Sequence, residues 1–551
     1  MKNIVRVICL LLACLFCLLA VAACNDEKDP SRVRRNANVK TDENGVRWAE
    51  DEWGTWREYD NLPDDLDYDG EPVSLLYWDG GMIRPEFEQT EEVDNDVLSS
   101  IYKRNMAIQD RLDVEIMFTS AGEESKNKVY IQKVQAAHNS GEHDYDLLAC
   151  YGPTMGNLLA MGFCENLTAI EGSHIDLSKP WWPTNLTGNL AIGGNMYFIT
   201  GDMSTNTIFQ MHTMYLNKKQ VNADLQAEAT EYFQKNPHVK TAATPSKENP
   251  EGGDTASNMI YEKVYGGTWT LDDLLAFSKG RYNDATGDGL SIDDKYGFTG
   301  ISYGMCAFYG ACNLRMLEPT EDGTILKVSD DWVSSKTVKL IAKLNGLYSS
   351  NDFHNVYKTT GNTSDYMGPF GRGNCLFSLY YMRYAMDQLV NNSKVSSYGI
   401  IPTPKWDTTQ RNYYTMLGNE ITLYAIFSGF DPRGDEQASL RMLTAVIECW
   451  ASEAFRKTTP VIFELSLKLK SSPTQCEADM CEIVRSSIEL DLGRIIRAAL
   501  ADQSDDRYGM DSQVISAALN GTPWSTVVNR DYEAIKTNLS DFVASLRKTM
   551  V

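Results

Sequence analysis

The sequence predicts an α/β protein built on a parallel sheet. Three short apolar segments with strand character, residues 73–78, 114–119 and 146–151, alternate with segments of helical spacing at residues 95–112 and 126–137. Strands that alternate with helices at this spacing indicate βαβ units, in which each helix returns the chain to a parallel neighbouring strand. Ligands of such sheets bind beyond the carboxyl ends of the strands.

Those carboxyl ends are predicted to carry polar and aromatic residues. The first strand runs into Trp78-Asp79-Gly-Gly, and the third runs into Tyr151-Gly-Pro. A helix start is predicted further along the chain, where Thr270 is the N-cap and Asp273 occupies the capping-box position. The later part of the chain is largely helical towards its C-terminus.

The N-terminus predicts export and a lipid anchor. The chain opens MKNIVRVICLLLACLFCLLAVAAC, with a short positive region of Lys2 and Arg6 and an uncharged apolar stretch at residues 8–20. That stretch is too short for a mature membrane span, which needs about twenty residues, and has the length of a signal-peptide core. Its end, Val-Ala-Ala-Cys24, resembles a bacterial lipobox, which implies that residues 1–23 are removed and that Cys24 is lipidated on sulfur. An ordinary secretory signal with an incidental cysteine is the alternative.

Composition excludes some classes of partner. Lys and Arg number 51 against 75 Asp and Glu, for a net charge of −24, and loss of Lys2 and Arg6 makes the mature chain −26. Such a charge argues against nucleic acid and against an anionic membrane surface as partners. The protein is therefore predicted to contact the membrane through its lipid anchor only, on the outer face of the cell membrane. It is expected to be a monomer.

Residues 24–70 are predicted to be the lipid anchor and an acidic, flexible tether. The stretch is charged, is punctuated by Pro and Gly, and shows no sustained hydrophobic period. That composition is typical of linkers. The cluster of Trp48, Trp53 and Trp56 leaves open that part of the stretch packs against the folded body.

The cysteine pattern predicts neither a zinc site nor a dense disulfide framework. Eight cysteines follow Cys24, with no CxxC pair and no regular spacing. Cys476 and Cys481 lie in a predicted helix, where the helical rise alone separates them by about 7.5 Å, beyond disulfide reach. Cys306 and Cys312 are a candidate bridge, and most of the others are predicted to be buried thiols.

The order of the segments resembles the extracellular solute-binding proteins of ABC importers, family 1, the maltose-binding-like group. The resemblance extends over residues 71–551 and is carried by DLLACY, LLAMGFCENLT, GGNMYFITGD, TMYLNKK, TWTLDDLLAFSK, KYGF, GNCLFSLYYMR, YGIIPTPK, ITLYAIF and ASEAFRKTTPVIFE. It implies a two-lobed, type II periplasmic-binding-protein-like fold, with crossover strands and a ligand cleft between the lobes. The implied lobes are, approximately, residues 71–205 with 410–465 and residues 206–409 with 466–551.

The resemblance also implies which residues line the cleft and what they bind. Sugar faces stack on aromatic rings, and sugar hydroxyls need carboxylate, amide and guanidinium partners. Gln210 stands where the maltose-binding type has an acidic sugar contact, so an amide there predicts a different ligand. Core packing is the alternative for each aromatic residue, and Trp181 and Trp182 fit either the cleft or the crossover. The implied cleft residues are Trp78, Asp79, Tyr151, Gln210, Tyr380, Tyr381 and Arg383.

Residues 284–294, DATGDGLSIDD, have the oxygen spacing of a calcium-binding loop. A sensor EF-hand would need Glu at position 12, where Lys295 stands. The shortened loop therefore predicts a structural ion, and hard oxygen ligands favour Ca²⁺. An acidic turn without an ion is the alternative. The predicted ligands are the side chains of Asp284, Thr286 and Asp288, the carbonyl of Leu290, and Asp293 or Asp294.

No enzyme is predicted. Residues 300–304 match G-x-S-x-G, but the strand before them is short and His354 is the only histidine that follows Ser302, so a hydrolase nucleophile elbow is not supported. The predicted function is a lipid-anchored receptor that closes on a sugar or oligosaccharide and delivers it to the membrane subunits of an ABC permease. A surface glycan-binding adhesion lipoprotein is the first alternative, and a calcium-dependent glycan-degrading enzyme is the second.

Overall fold

The computed structural model describes residues 38–79, 85–122, 127–239, 242, 252–301, 304–321, 326–355, 367–469, 474–500 and 509–548. The signal segment, Cys24, the two glycines after Asp79, and Ser302 of the G-x-S-x-G motif lie outside these ranges. None of the helices in the described ranges is both long enough and apolar enough to cross a membrane.

The strands are β1 (Val39–Thr41), β2 (Arg47–Glu50), β3 (Trp56–Glu58), β4 (Glu71–Tyr77), β5 (Val114–Ser120), β6 (Leu147–Tyr151), β7 (His212–Asn217), β8 (Tyr296–Gly300), β9 (Leu317–Pro319), β10 (Leu326–Val328), β11 (Phe353–Asn355), β12 (Cys375–Tyr381), β13 (Tyr398–Ile401), β14 (Thr415–Met416), β15 (Thr422–Ile426) and β16 (Ile488–Glu489).

The α-helices are α1 (Asp96–Leu112), α2 (Lys128–Ser140), α3 (Gly152–Ala160), α4 (Thr184–Thr187), α5 (Asn206–Phe209), α6 (Lys218–Asp224), α7 (Gln226–Lys235), α8 (Ala256–Tyr265), α9 (Leu271–Ser278), α10 (Met305–Ala311), α11 (Ser335–Tyr348), α12 (Gly368–Gly371), α13 (Glu436–Thr459), α14 (Gln475–Ser486), α15 (Leu492–Ile495), α16 (Arg497–Leu500), α17 (Met510–Asn520) and α18 (Trp524–Lys548). Short 3₁₀ or π-helical turns occupy Asp330–Val333, Ala385–Leu389, Ser393–Val395 and Pro460–Leu469.

Local signals account for many of these boundaries. Asn95 caps α1 by accepting a hydrogen bond from the amide of Leu98, and Asp113 ends that helix in the left-handed region. The predicted capping box of α9 is confirmed, because the Thr270 and Asp273 side chains each accept from the other residue's backbone amide. Local capping therefore marks the start of α1 and of α9 and the end of α1.

The first large sheet has the strand order β5-β4-β6-β15. Its first three strands are parallel, and β15 runs antiparallel to β6, with Thr422 opposite Tyr151. The predicted strand–helix–strand succession from β4 to β6 is confirmed. The fourth strand comes from far along the chain, after all the strands of the second large sheet.

The second large sheet has the order β11-β8-β12-β7-β13. Strands β11, β8 and β12 are parallel, whereas β7 runs antiparallel to both β12 and β13. Both sheets thus place three parallel strands in the order 2-1-3 beside an antiparallel strand. The α/β class is confirmed, and two such sheets linked by crossing strands are the arrangement that a two-lobed fold requires.

Two chain segments cross between the large sheets side by side. The backbone of Ile199 exchanges hydrogen bonds of 2.8 and 2.9 Å with Tyr424, and the amide of Gly418 donates to the carbonyl of Gln210 at 2.8 Å. Residues 196–200, an apolar run with strand composition, form the bridge from Ile199 but no longer strand, and the similar run at 207–216 is divided between α5 and β7. In both segments the crossing geometry overrides local strand propensity.

Residues 39–62 fold, although the sequence predicted a flexible tether. Strands β1, β2 and β3 form an antiparallel meander, and Tyr59, Asp60 and Leu62 behind it are buried. Asp60 makes a two-pronged ion pair with Arg111 of α1. The tether prediction is wrong for these residues. Their charged side chains, which the composition suggested would be exposed to solvent, pair instead with residues distant in sequence.

The C-terminal helices pack against the helix that follows β6. A Cβ built at Gly156 of α3 would overlap the carbonyl oxygen of Ile495, and one at Gly152 would lie 2.9 Å from the side chain of Ile495. Glycine at both positions lets α15 approach α3 closely. Residues near 495, assigned above to the second lobe, thus contact the first sheet's helix.

The eight cysteines beyond Cys24 are buried, and none of them forms a disulfide in this structure. Cys306 and Cys312 lie on α10 and just after it, and they are not bridged. Cys476 and Cys481 both lie on α14, as predicted. Burial raises the pKa of the Cys312 thiol to about 12, with smaller opposing contributions from Lys336 and Lys343.

Candidate ligand-binding site

The carboxyl ends of the first sheet bring Trp78 and Tyr151 together, as predicted. Their ring centroids are 5.5 Å apart and both side chains are buried. The Trp78 indole donates to Thr422 Oγ1 at 3.0 Å, and the Tyr151 hydroxyl accepts from Arg497 Nη2 at 3.5 Å. Asp79 is only partly buried and accepts from the Ser120 hydroxyl at 3.1 Å.

The end of β12 in the second sheet carries the other predicted aromatic residues. Tyr381 lies 4.6 Å from the imidazole of His212, measured between ring centroids. Tyr380 instead packs 4.1 Å from Tyr384 in the core. Arg383 lies over the rings of Tyr381 and Tyr384, at 5.5 and 5.1 Å. Burial raises the pKa of Tyr381 well above its ordinary value, so its hydroxyl stays protonated.

The crossing segment between β14 and β15 holds the residues from the second sheet in place. A Cβ built at Gly418 would lie 2.5 Å from Gln210 Oε1 and 2.7 Å from Tyr381 Cε1. Both side chains therefore rest against a backbone that has room for no side chain of its own. Since Thr422, the first residue of β15, accepts from Trp78, residues 417–422 connect the two groups of predicted site residues.

Gln210 is a buried amide without a hydrogen-bond partner. Its side chain is fully buried, and neither Oε1 nor Nε2 bonds to any group in the described part of the chain. A buried polar group left in this way costs about 1–3 kcal/mol. Groups of this kind call for a ligand or an ordered water.

His212, which the sequence analysis did not select, has the same property. Its Nδ1 lies 2.9 Å from the carbonyl oxygen of Met416, so Nδ1 carries the proton and Nε2 presents a lone pair. Nε2 is buried, with no partner among the described residues. Burial, reinforced by the positive charge of Arg494, lowers the pKa of His212 to about 3. The imidazole is therefore neutral and can only accept at Nε2.

Arg494 of α15 fixes the crossing segment from the other side. It donates from Nη1 to the carbonyl of Leu417 and from Nη2 to the Asn419 side chain. Its Nε lies 3.9 Å from the carboxylate of Asp511. The sequence offered no signal for this arginine, whereas His212 stands two residues after Gln210, in a run where alternating polar side chains could have revealed it.

Trp181 and Trp182 belong to the core and not to this site. Both are buried, and their indoles donate to the carboxylate of Glu448 on α13, at 3.1 and 2.9 Å. Of the two alternatives for this pair, packing is the one that the structure favours.

The acidic loop at residues 284–294 gathers three carboxylates. Oxygens of Asp284, Asp288 and Asp294 all lie within 4.8 Å of one another. Oxygen ligands on opposite sides of a Ca²⁺ ion are separated by about 4.8 Å, since each bond is about 2.4 Å. The hydroxyl of Thr286 bonds to Asp288 and lies 3.4 Å from Asp294 Oδ1. These residues fit a calcium ion.

Of the two acids offered for the end of that loop, Asp294 joins the cluster. It is fully buried and accepts from the amides of Ala285 and Ser291 at 3.0 and 2.9 Å. Burial opposes its ionisation, but the hydrogen bonds from Ser291, Ala285 and Tyr282 outweigh burial and hold the pKa of Asp294 below its ordinary value. Asp293 instead pairs with Arg372 at 2.9 Å.

No family model and no curated protein matches the sequence. Several solved structures align with most of the chain. Maltose-bound MalE3 of T. maritima is 14% identical over 86% of this chain and 99% of its own, with a TM-score of 0.44. A cyclo/maltodextrin-binding protein in complex with maltotetraose is 13% identical over 86% and 98%, with a TM-score of 0.48.

A third structure is the cyclic α-maltosyl-1,6-maltose binding protein of Arthrobacter globiformis. It is 12% identical over 86% of this chain and 99% of its own, with a TM-score of 0.48. Because the identities and the TM-scores are low, the fold assigned here depends on the strand order of the two sheets.

Proposed function

We propose that this protein is the lipid-anchored, extracellular solute receptor of an ABC importer. It captures a sugar or oligosaccharide where the two sheets meet and delivers it to the membrane permease. The observation that carries the proposal is the pair of unsatisfied polar side chains, Gln210 and His212, beside Tyr381 and the crossing segment. Polar atoms of this kind beside an aromatic ring suit the hydroxyls and the apolar face of a sugar ring.

The chemistry of these groups supports a neutral, hydroxylated solute. His212 Nε2 accepts a hydrogen bond and carries no charge, while the Gln210 amide both donates and accepts. A hydroxyl group matches both partners, because it also donates and accepts. A carboxylate or phosphate would offer only acceptors to the His212 lone pair, and an ammonium group would find no carboxylate in this pair.

Closure follows from contacts on both sides of the crossing segment. Trp78 and Tyr151 lie at the ends of β4 and β6 in the first sheet, whereas Gln210 precedes β7 and Tyr381 ends β12 in the second sheet. A solute that contacts both groups binds the closed arrangement better than the open one, and only that difference shifts the equilibrium towards closure. The permease then binds the closed form.

The test is thermal unfolding and calorimetric titration of residues 25–551 with a panel of monosaccharides and oligosaccharides. A sugar at a hundred times Kd should add about 2.7 kcal/mol to the free energy of unfolding. Replacing Gln210 with Ala should weaken binding by roughly 5- to 150-fold, the equivalent of about 1–3 kcal/mol. Gln132→Ala, at an exposed position on α2, is the matched control and should bind normally.

Two outcomes would reject the receptor proposal. One is the absence of binding by any sugar in the panel, and the other is normal binding by Gln210→Ala. Recovery of the unchanged sugar after long incubation distinguishes a receptor from a glycan-degrading enzyme. Transport of that sugar by cells, lost on deletion of this protein, distinguishes an importer receptor from an adhesion lipoprotein.

The anchor is proposed on Cys24, with residues 25–38 as the tether, because the folded meander begins at Val39. Replacing Cys24 with Ser should release the protein from the membrane fraction without changing its affinity for the sugar. Continued association of Cys24→Ser with membranes would show that another element holds it there.

A structural calcium ion is proposed in the loop at residues 284–294, held by Asp284, Asp288 and Asp294 with Thr286 beside them. The carbonyl of Leu290 stays a proposed ligand. A chelator should lower the unfolding temperature, and added calcium should restore it. Asp294→Asn should abolish that response, whereas Asp293→Asn should leave it intact because Asp293 pairs with Arg372. Equal responses in the two variants would refute the assignment.

A further inference from the structure

A pocket of about 280 Å³ lies beside the segment that carries Arg494. None of the residues predicted to line the ligand cleft belongs to its walls. Three separate parts of the chain form it: the loop at residues 188–194, Arg315 with residues 317–319 of β9 and Leu326 of β10, and residues 490–492. Its volume is close to the lower end of ligand pockets, which span roughly 300–1,000 Å³.

The floor of the pocket is apolar. It is formed by four buried leucines, Leu317, Leu326, Leu490 and Leu492. The rim is open, since Gly188, Gly194 and Pro319 are exposed. At Gly194 a built Cβ would meet nothing within 4 Å. A small molecule can therefore enter from solvent and place an apolar face on the leucines.

Arg315 supplies the polar group of the pocket. Its Nη2 pairs with Glu489 Oε2 at 2.6 Å, and its guanidinium lies 5.6 Å from the ring of Tyr414. These contacts hold the guanidinium in one place. Its Nη1 is buried and forms no hydrogen bond with any residue that the structure describes. A ligand with a hydrogen-bond acceptor would satisfy this donor.

The charges around Arg315 decide the class of ligand. Glu489 already balances the guanidinium, and Asp491 and Glu318 are both among the residues that line the pocket. The Glu318 carboxylate pairs with Lys327 at 3.0 Å, which leaves two cations against three carboxylates. Both Asp491 oxygens are occupied, since they accept from the amides of Met316 and Gly493 at 2.7 and 2.8 Å. An anionic ligand would add negative charge to a region with an excess of acid, so a neutral acceptor is favoured.

The geometry points to a second ligand site in this pocket, which binds one small, neutral, polyhydroxylated molecule of about the size of a single sugar ring. One hydroxyl accepts from Arg315 Nη1, and the apolar face of the ring lies on the four leucines. The site does not depend on Gln210 or His212, so it can be tested whether or not the receptor proposal holds.

The experiment is a titration of leucine-methyl-labelled protein with D-glucose, followed by NMR. The methyl signals of the four floor leucines, assigned by single Leu→Ile replacements, should shift in a saturable manner. Ala191→Phe, a change on the wall that leaves the Arg315–Glu489 pair intact, fills the pocket and should abolish those shifts. Arg315→Lys keeps a positive partner for Glu489 but removes the second donor, and should weaken binding about tenfold.

The remaining outcomes overturn the inference. Absence of any shift in the four leucines with D-glucose, myo-inositol and erythritol at millimolar concentration would show that the pocket binds no such molecule. Shifts that persist in Ala191→Phe would mean that they arise from binding elsewhere. Equally tight binding of gluconate would show that the ligand class is wrong. If Ala191→Phe and Arg315→Lys still bind the sugar normally at the site of Gln210 and His212, failure of the pocket proposal is distinguished from failure of the receptor proposal.

Discussion

Removing the Asp60 carboxylate should undock the N-terminal meander. Asp60 is fully buried, and both of its oxygens accept from the guanidinium of Arg111. Asp60 Oδ1 also accepts from the amide of Leu62 at 3.0 Å, which closes the turn after β3. In Asp60→Ala the Arg111 guanidinium stays buried without its counter-charge.

The expected cost is large because the pair is buried. Removing one partner of a buried ion pair costs about 3–5 kcal/mol. If that cost falls entirely on the docking of residues 39–62, the equilibrium constant for their detachment from the body rises by roughly 150- to 5,000-fold. The ion pair is part of a larger cluster, since the guanidinium groups of Arg111 and Arg456 lie 4.4 and 4.5 Å from the centre of the Tyr59 ring. Loss of one anion therefore weakens a cluster and not a single bond.

The assay is hydrogen–deuterium exchange of residues 25–551, with peptides that cover β1 to β3. Asp60→Ala should speed exchange in those peptides and leave the two large sheets unchanged. Asp64→Ala is the matched control, because Asp64 pairs with Arg47 at the surface and is 66% exposed. Such pairs contribute about 0–1 kcal/mol. Arg111→Met added to Asp60→Ala should restore part of the protection.

The same pair should make docking sensitive to acid. Burial opposes ionisation of Asp60, but pairing with Arg111 outweighs burial and holds the pKa of Asp60 below its ordinary value. A lowered folded-state pKa means that the contribution is present above the unfolded-state pKa and is lost as pH falls through the folded-state value. If Asp60→Ala exchanges no faster than Asp64→Ala, the buried pair does not hold the meander, and the reasoning fails.

Three further predictions concern the site where the two large sheets meet and the cysteines. Gly418→Ala should weaken sugar binding about tenfold or more, by displacing Gln210 or Tyr381; a calorimetric titration that matches the unchanged protein would contradict the packing described. His212 should stay neutral with its proton on Nδ1 down to pH 5, because its pKa is lowered to about 3; ¹⁵N NMR of the imidazole checks this. The contribution of the neutral imidazole to the free energy of unfolding should be fully present above the unfolded-state pKa of about 6.5 and should be lost as pH falls towards 3. Cys306 and Cys312 form no disulfide, so reductant should not change the unfolding temperature, and a drop on reduction would indicate a bridge.

Much of the first sheet could be predicted from the sequence. The strands β4, β5 and β6 and the helices between them follow from hydrophobic period and length, because each is set by neighbours in the chain. The same holds for the capping box at Thr270 and for the oxygen spacing of the acidic loop. The pairing of Trp78 with Tyr151 was also accessible, since both follow parallel strands of one sheet.

The remaining parts of the site depend on contacts between residues far apart in sequence. Arg494 donates to the carbonyl of Leu417. The side chains of Tyr381 and Gln210 both pack against the backbone of Gly418. In the acidic loop, Asp293 pairs with Arg372, while its neighbour Asp294 completes the carboxylate cluster. No local pattern distinguishes these choices, because each is decided by which groups are left to satisfy one another after the sheets have packed.

The sequence alone thus determined the class of fold, the order of its local elements and the residue types available for binding and for metal coordination. These properties depend on periodicity, capping and spacing, which act over a few residues. Tertiary structure alone decided that residues 39–62 fold onto Arg111, that His212 is held neutral with a free lone pair, and that a leucine-floored pocket forms beside Arg315. Burial and long-range pairing create these features, and neither is encoded at any one position of the chain.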